Sequence, residues 1–177
     1  MQRMLVMTII GQDRPGLVES VARLVAEHGG NWLESRMSRL GGQFAGILRV
    51  EIPADRESAL VVCLKQLDVR GLTVVVSQDQ AQPVILGGEL RTLEIVGHDR
   101  PGIVRQIAEA LANHGVNVED LETERSSAAM TGEMLFKASA KLNIPATCNL
   151  GTLRQELEKI AADLIVDISL REIPNAG

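Results

Sequence analysis

The residues best suited to chemistry come as two near-identical sets: GQDRPGLV at 11–18 and GHDRPGIV at 97–104. In each set a glycine (Gly11, Gly97) ends an apolar run and is expected to permit a turn with positive φ. An aspartate and an arginine follow (Asp13 and Arg14; Asp99 and Arg100), then Pro15 or Pro101, which is read as lying in the first turn of a helix, where its missing N–H costs nothing. Gly16 and Gly102 carry no side chain, so a ligand or a neighbouring backbone can approach the helix start, next to Leu17 or Ile103. Unpaired amides and the positive dipole end favour a carboxylate there. Asp13 and Asp99 would either cap the helix, worth about 1 kcal/mol, or accept hydrogen bonds from an ammonium group. Amide donors beside a carboxylate suit an α-amino acid, which carries both charges. The same residues equally build a strand-to-helix turn that needs no ligand.

Other reactive side chains fit quieter roles. His28 and His114 fall in the last helical turn before Gly29 and Gly115, where a polar or cationic group complements the helix dipole. His98 replaces Gln12 inside the motif and is a candidate ligand contact. Trp32, the single tryptophan, is expected on an edge strand at an interface. Cys63 reads as core and Cys148 as exposed, and neither has a CxxC or Cys/His neighbourhood that would mark a metal site or a reactive thiolate. Arg14 and Arg100 could pair with a carboxylate ligand or make an ordinary salt bridge. The glycines of LGGQF lack a phosphate-loop context and read as a hairpin turn. No nucleophile with a base, no paired carboxylates and no metal set is legible, so the chain is expected not to be an enzyme and to need no cofactor or metal.

These residues must be positioned by a duplicated unit. From 11–31 against 97–117, eleven of twenty-one positions are identical, at an offset of 86. Pairing Gly42 with Gly132, Pro53 with Pro145 and Leu72 with Leu164 makes the offset grow to 90 and then 92, which places about six extra residues in the SSAAMTG loop and just after Ile144. Each repeat reads as a strand (4–10; 90–96), a helix stopped by glycine, a hairpin (31–39 with 44–52; 117–125 with 134–144), a second helix (55–69; 150–162) and a last strand (72–78; 164–171). In the second helices Leu60, Val61, Leu64 and Leu67, and Leu153, Leu157, Ile160 and Ala161, are expected to face inward. Asn31 and Asn117 open the second strands and are expected beside the motif turns.

The order βαββαβ, twice, predicts an α+β fold of two ferredoxin-like domains, each a four-stranded antiparallel sheet with both helices on one face. The domains are expected over 1–80 and 89–177, with a linker at 81–88. The bare sheet face of the first repeat remains apolar, and covering a few hundred Å² of it at about 25 cal/mol per Å² would contribute several kcal/mol, so a homo-oligomer or packing between repeats is expected. A net charge of -5 and pI near 5.3 leave no field for phosphate backbones or anionic membranes, so no direct nucleic-acid binding is expected. No apolar run approaches a membrane span, and the apolar opening lacks a cleavage site, so a reduced cytoplasmic location is expected.

A strand followed by DRPG and an aliphatic residue, then a helix ending in HG, then an asparagine, resembles the ACT domain, a βαββαβ module that binds amino acids. The resemblance covers both repeats. Two such domains, with GGQFAGILRV in the first and VILGGELRTLEIVGHDRPGIV around the junction, look most like the glycine cleavage system transcriptional repressor family. That resemblance implies glycine, or another small amino acid, as signal and a transcriptional activator protein as partner; a scaffold or sensor for another amino acid that modulates a metabolic enzyme is the alternative. It also implies ligand sites at Gly11, Asp13, Arg14, Pro15, Gly16, Leu17 and Asn31, and at Gly97, His98, Asp99, Arg100, Pro101, Gly102, Ile103 and Asn117, near the second strands where ACT units meet. Ser35, Arg36 and Met37 face Leu121, Glu122 and Thr123 across the repeats, so at most one strong site is expected.

Overall fold

The computed structural model describes residues 1–79, 88–127 and 132–173. Two compact units form, Met1–Gln82 and Pro83–Gly177; positions 81–87 of the expected linker lie outside the described residues. The first contains β1 (Gln2–Gln12), α1 (Leu17–Glu27), β2 (Asn31–Leu40), β3 (Gln43–Pro53), α2 (Glu57–Lys65) with a 3₁₀ turn (Gln66–Arg70), and β4 (Leu72–Gln78). The second contains β5 (Glu89–His98), α3 (Ile103–Asn113), β6 (Asn117–Ser127), β7 (Met134–Ile144), α4 (Leu150–Leu164) and β8 (Val166–Glu172). Each sheet is fully antiparallel, ordered β2-β3-β1-β4 and β6-β7-β5-β8. This is the ferredoxin-like βαββαβ fold, twice.

Period-two alternation makes the layers. Leu5, Met7 and Ile9 of β1 are buried against Leu17, Val21 and Val25 of α1 and Leu60 and Leu64 of α2. Leu93 and Ile95 of β5 do the same beneath Ile103, Ile107 and Leu111 of α3 and Leu153 and Leu157 of α4. Val61, Ile160 and Ala161 are only half-buried, at the rim of the inward faces. Both first helices end in the same hydrogen-bond pair. Gly29 N donates to Ala26 O and Gly30 N to Val25 O in α1, as Gly115 N does to Ala112 O and Val116 N to Leu111 O in α3. The left-handed φ of Gly29 and Gly115 closes both.

Three details differ from the sequence reading. Gly11 faces Phe44 and Gly97 faces Phe136, an offset of 92 already inside the hairpin, so the six extra residues belong to the β6–β7 hairpin, strand ends included, and Gly42 corresponds to Met134 rather than Gly132. Gly11 faces Leu72 and Gly97 faces Val166, so Leu72 corresponds to Val166, two residues beyond Leu164. Leu164 belongs to α4, which runs longer because its buried Leu153, Leu157 and Leu164 keep helical spacing. Finally, the helix expected over 55–69 tightens into the 3₁₀ turn after Lys65 and stops at Gly71, φ 75.

Candidate ligand site at the repeated turn

The chain leaves β1 at Gln12 and reaches α1 at Leu17 through Asp13, Arg14, Pro15 and Gly16. Gly11 is extended, without positive φ. Its glycine identity has another cause: a Cβ there would stand 2.4 Å from the Gly71 carbonyl, and one on Gly97 would stand 2.7 Å from Cα of Val166. These glycines let the last strand of each unit come close. The positive φ sits at Gly16 (88°) and Gly102 (95°), which are the N-caps. Proline therefore precedes the cap rather than occupying the first helical turn.

Both caps lack a side-chain hydrogen bond, which removes the capping role for Asp13 and Asp99. Each aspartate is held by an arginine from the far end of the second strand: Arg39 Nε lies 2.5 Å from Asp13 Oδ2, and Arg125 Nε 2.6 Å from Asp99 Oδ2. The Asp13 amide donates to Gly42 O at 2.9 Å and the Asp99 amide to Met134 O at 3.0 Å, tying each turn to its hairpin. Arg39 and Arg125 were not among the candidate residues. Their recurrence at the motif's own offset of 86 was the available signal.

Above each helix start the space is open. Ser20 N and Gln106 N donate to the cap carbonyls, so the amides at 17–19 and 103–105 precede the first paired helical donor. Among the described residues, nothing lies within 4 Å of a Cβ position on Gly16, and only Gln106 Nε2, at 3.9 Å, near that on Gly102. Leu17 and Ile103 turn their side chains into the cores, so only their main chains can meet a ligand. Asn31 and Asn117 are not at the turns. Asn31 pairs with Glu51, which pairs with Met4, and Asn117 pairs with Asn143, which pairs with Leu90; both asparagines stand at the opposite end of the sheet from Gly11 and Gly97. The first helix runs back along the sheet, so the second strand starts at the far edge and only its end returns to the turn.

The two turns are not equivalent. In the first unit the Arg14 guanidinium donates to the Arg70 carbonyl and bridges the motif to the 3₁₀ turn. Among the described residues Arg100 makes no such bond, and an open cleft of about 470 Å³ lies beside the second motif. It is lined by Gly97 and His98, by Leu135, by Ala161, Ala162 and Ile165 at the end of α4, and by Asp167. His98 Nδ1 lies 3.7 Å from Glu133 Oε2. By the helix dipole, the carbonyl end of α4 at this cleft would favour an ammonium group, whereas the start of α3 would favour a carboxylate.

The remaining polar residues are structural. His28 Nδ1 lies 2.8 Å from Leu24 O, a helix-end contact, while His114 Nε2 lies 2.8 Å from Glu156 Oε2 and links α3 to α4. Trp32 is half-buried against its own unit's core. Cys148 is half-buried rather than exposed, and burial pushes its thiol above the ordinary value. No group of three or more His, Cys, Asp or Glu able to hold a metal occurs among the described residues, and no helix there is long and apolar enough to cross a membrane.

The ACT-domain family model matches residues 3–77 and 92–171, one match per unit. The chain belongs to the ACT-domain family. This ACT protein is 22% identical over 167 residues to the glycine cleavage system transcriptional repressor of Escherichia coli K12, covering 92% of this chain and 86% of that one. It is 25% identical over 171 residues to the phosphoserine phosphatase SerB2 of Mycobacterium tuberculosis, of which it spans 40%. Among solved structures, an unknown protein from Galdieria sulphuraria superposes with a TM-score of 0.84 at 28% identity over 98% of this chain and 99% of that one. A candidate glycine cleavage system transcriptional repressor superposes with a TM-score of 0.71 at 21% identity over 99% of both chains, a likeness of fold.

Proposed function

We propose that this tandem ACT protein is an amino-acid-responsive regulator, with glycine as its signal, acting by contact with a transcriptional activator rather than by chemistry or by reading DNA. The observation that carries the reading is the open cleft beside the second motif, lined by Gly97, His98 and Asp167, in a unit whose helix α3 starts at the left-handed Gly102 with no side-chain cap. A small zwitterion fits that pairing: its carboxylate toward the amides at 103–105, its ammonium toward Asp167 and the end of α4. The match over 92% of this chain to a transcriptional repressor named for the glycine cleavage system supports glycine as the signal and a role in regulating transcription. The acidic balance of the chain argues against direct DNA contact. The first unit, whose turn is bridged by Arg14, serves as the weaker site or as scaffold. The ligand biases the partner-binding state only by its difference in affinity between states.

A thermal-shift screen against the twenty amino acids tests this. A ligand at a hundred times its Kd stabilises by about 2.7 kcal/mol. Glycine is expected to raise the melting temperature, and a screen in which no amino acid does so removes the sensor reading. A shift with a different amino acid moves the chain to the second reading, a sensor that modulates a metabolic enzyme, which the SerB2 likeness favours.

A further inference from the structure

Among the described residues nine adopt a positive φ, and eight of them are glycine; the ninth is Ile165, at φ 56. Its backbone has a local task, since it ends α4 and its amide donates to Ala161 O. That task needs the left-handed conformation and no side chain. Gly71 performs it at the matching position of the first unit. The Ile165 side chain also lies outside the core: Leu164 and Val166 on either side are 8% and 7% exposed and do the packing, while Ile165 is 57% exposed. A β-branched side chain is thus held on a strained backbone without burial to offset it. Strain of this kind concentrates where a site uses it.

We propose that Ile165 is a specificity residue of the cleft beside the second motif, the wall that limits which amino-acid side chains the cleft admits. The inference rests on the reading of that cleft as the amino-acid site. Ile165 lines it together with Gly97, His98, Ala161, Ala162 and Asp167. Gly97, Ala161 and Ala162 contribute a methyl group or nothing, so Ile165 supplies the bulk where α4 meets the cleft. A ligand whose ammonium lies toward the carbonyl end of α4 brings its Cα, and any side chain on it, to the residue that ends that helix. The first unit shows the opposite combination. Gly71 offers no wall there, and the Arg14 guanidinium bridges the turn to the Arg70 carbonyl. The bulky residue therefore occurs in the unit whose cleft is open. Apolar walls discriminate by the room they leave, at roughly 10- to 200-fold per methylene.

Isothermal titration of the full chain with glycine, alanine and valine tests this. The natural chain is expected to bind glycine best. In Ile165→Gly the affinity for valine relative to glycine is expected to rise by at least about tenfold, since the room vacated exceeds one methylene. Ile165→Asn separates the wall from the backbone. Asparagine tolerates the left-handed region and keeps a branched side chain, so this variant is expected to retain the preference for glycine. Melts without ligand accompany the titrations, and Ile165→Gly is expected to melt no lower than the natural chain. An unchanged valine-to-glycine ratio in an Ile165→Gly chain that still binds glycine overturns the inference and leaves the amino-acid reading standing. So does a natural chain that prefers valine, or an Ile165→Asn chain that loses selectivity as Ile165→Gly does, which assigns the effect to the backbone. A lowered melting temperature in Ile165→Gly overturns it too, because the side chain would then be packed within the chain, against its own unit or the other. A natural chain to which none of the twenty amino acids binds removes the reading and the inference together.

Discussion

Asp99 and Arg125 meet at 2.6 Å, the arginine reaching back from the end of β6 to the loop that leads into α3, and Asp13 and Arg39 repeat the contact at 2.5 Å. The aspartate is thereby fixed beside the helix start without capping it. Because both arginines are more than half exposed, solvent screens the pairs, and a double-mutant cycle of Asp99→Asn with Arg125→Gln is expected to give a coupling below about 1 kcal/mol in urea denaturation. Ligand affinity is expected to fall by about tenfold in Arg125→Gln, since the carboxylate loses its orientation. A coupling of several kcal/mol would show instead that the pair holds the fold and has no special tie to the site.

Gly16 and Gly102 are held in the left-handed region, so replacing them changes stability as well as access. Gly102→Ala is expected to cost about 1–2 kcal/mol from backbone strain alone, because the space around its Cβ is otherwise open. Equilibrium urea unfolding measures this. An unchanged midpoint would mean that the turn relaxes to a different conformation, and with it that the cap geometry around the amides at 103–105 is not fixed.

How much of this was readable in advance depended on the range of the interaction. Local signals transferred well: alternation located the strands, 3.6-residue spacing located α1 and α3, and Gly29 and Gly115 marked their ends. Register did not transfer, because a loop of variable length separates the matched blocks. Gly42 and Gly132 share a residue type without sharing a place, and Phe44 with Phe136 is the true pair. Within the site, Asp13, Gly16 and their counterparts were visible as motif. The absence of Asn31 and the presence of Arg39 at the turn follow from the direction in which the helix returns, which no spacing along the chain reveals.

Ile165 shows where the second repeat departs from the first at a cost. It occupies the place of Gly71 and adopts φ 56, in a region that a β-branched residue enters only under strain. Its side chain is 57% exposed, so little burial compensates. Ile165→Gly is expected to stabilise the protein by about 1 kcal/mol, and Gly71→Ala to destabilise it by a similar amount, both by thermal melts. If Ile165→Gly instead lowers stability, the side chain must gain contacts that exposure does not reveal.

Arg91 makes the same comparison inside the core. Its position on β5 corresponds to Leu5 on β1, yet its side chain is 6% exposed, and Nε is the one buried side-chain nitrogen or oxygen among the described residues without a hydrogen bond. The guanidinium reaches Glu89 at 2.7 Å and Glu172 at 3.1 Å, both largely exposed, so its charge is taken out of water for partners that remain in it. The desolvation cost of such a group commonly exceeds its Coulombic gain. Arg91→Leu restores the residue that the first repeat uses, removes the orphan donor and leaves the two glutamates solvated, so it is expected to be neutral or stabilising by up to about 2 kcal/mol. Arg91→Ala vacates the same volume and is expected to cost about 2 kcal/mol or more. Denaturant midpoints of the two variants decide the matter, because a stabilising role for the charge would make both changes destabilising by similar amounts, whereas a packing role separates them.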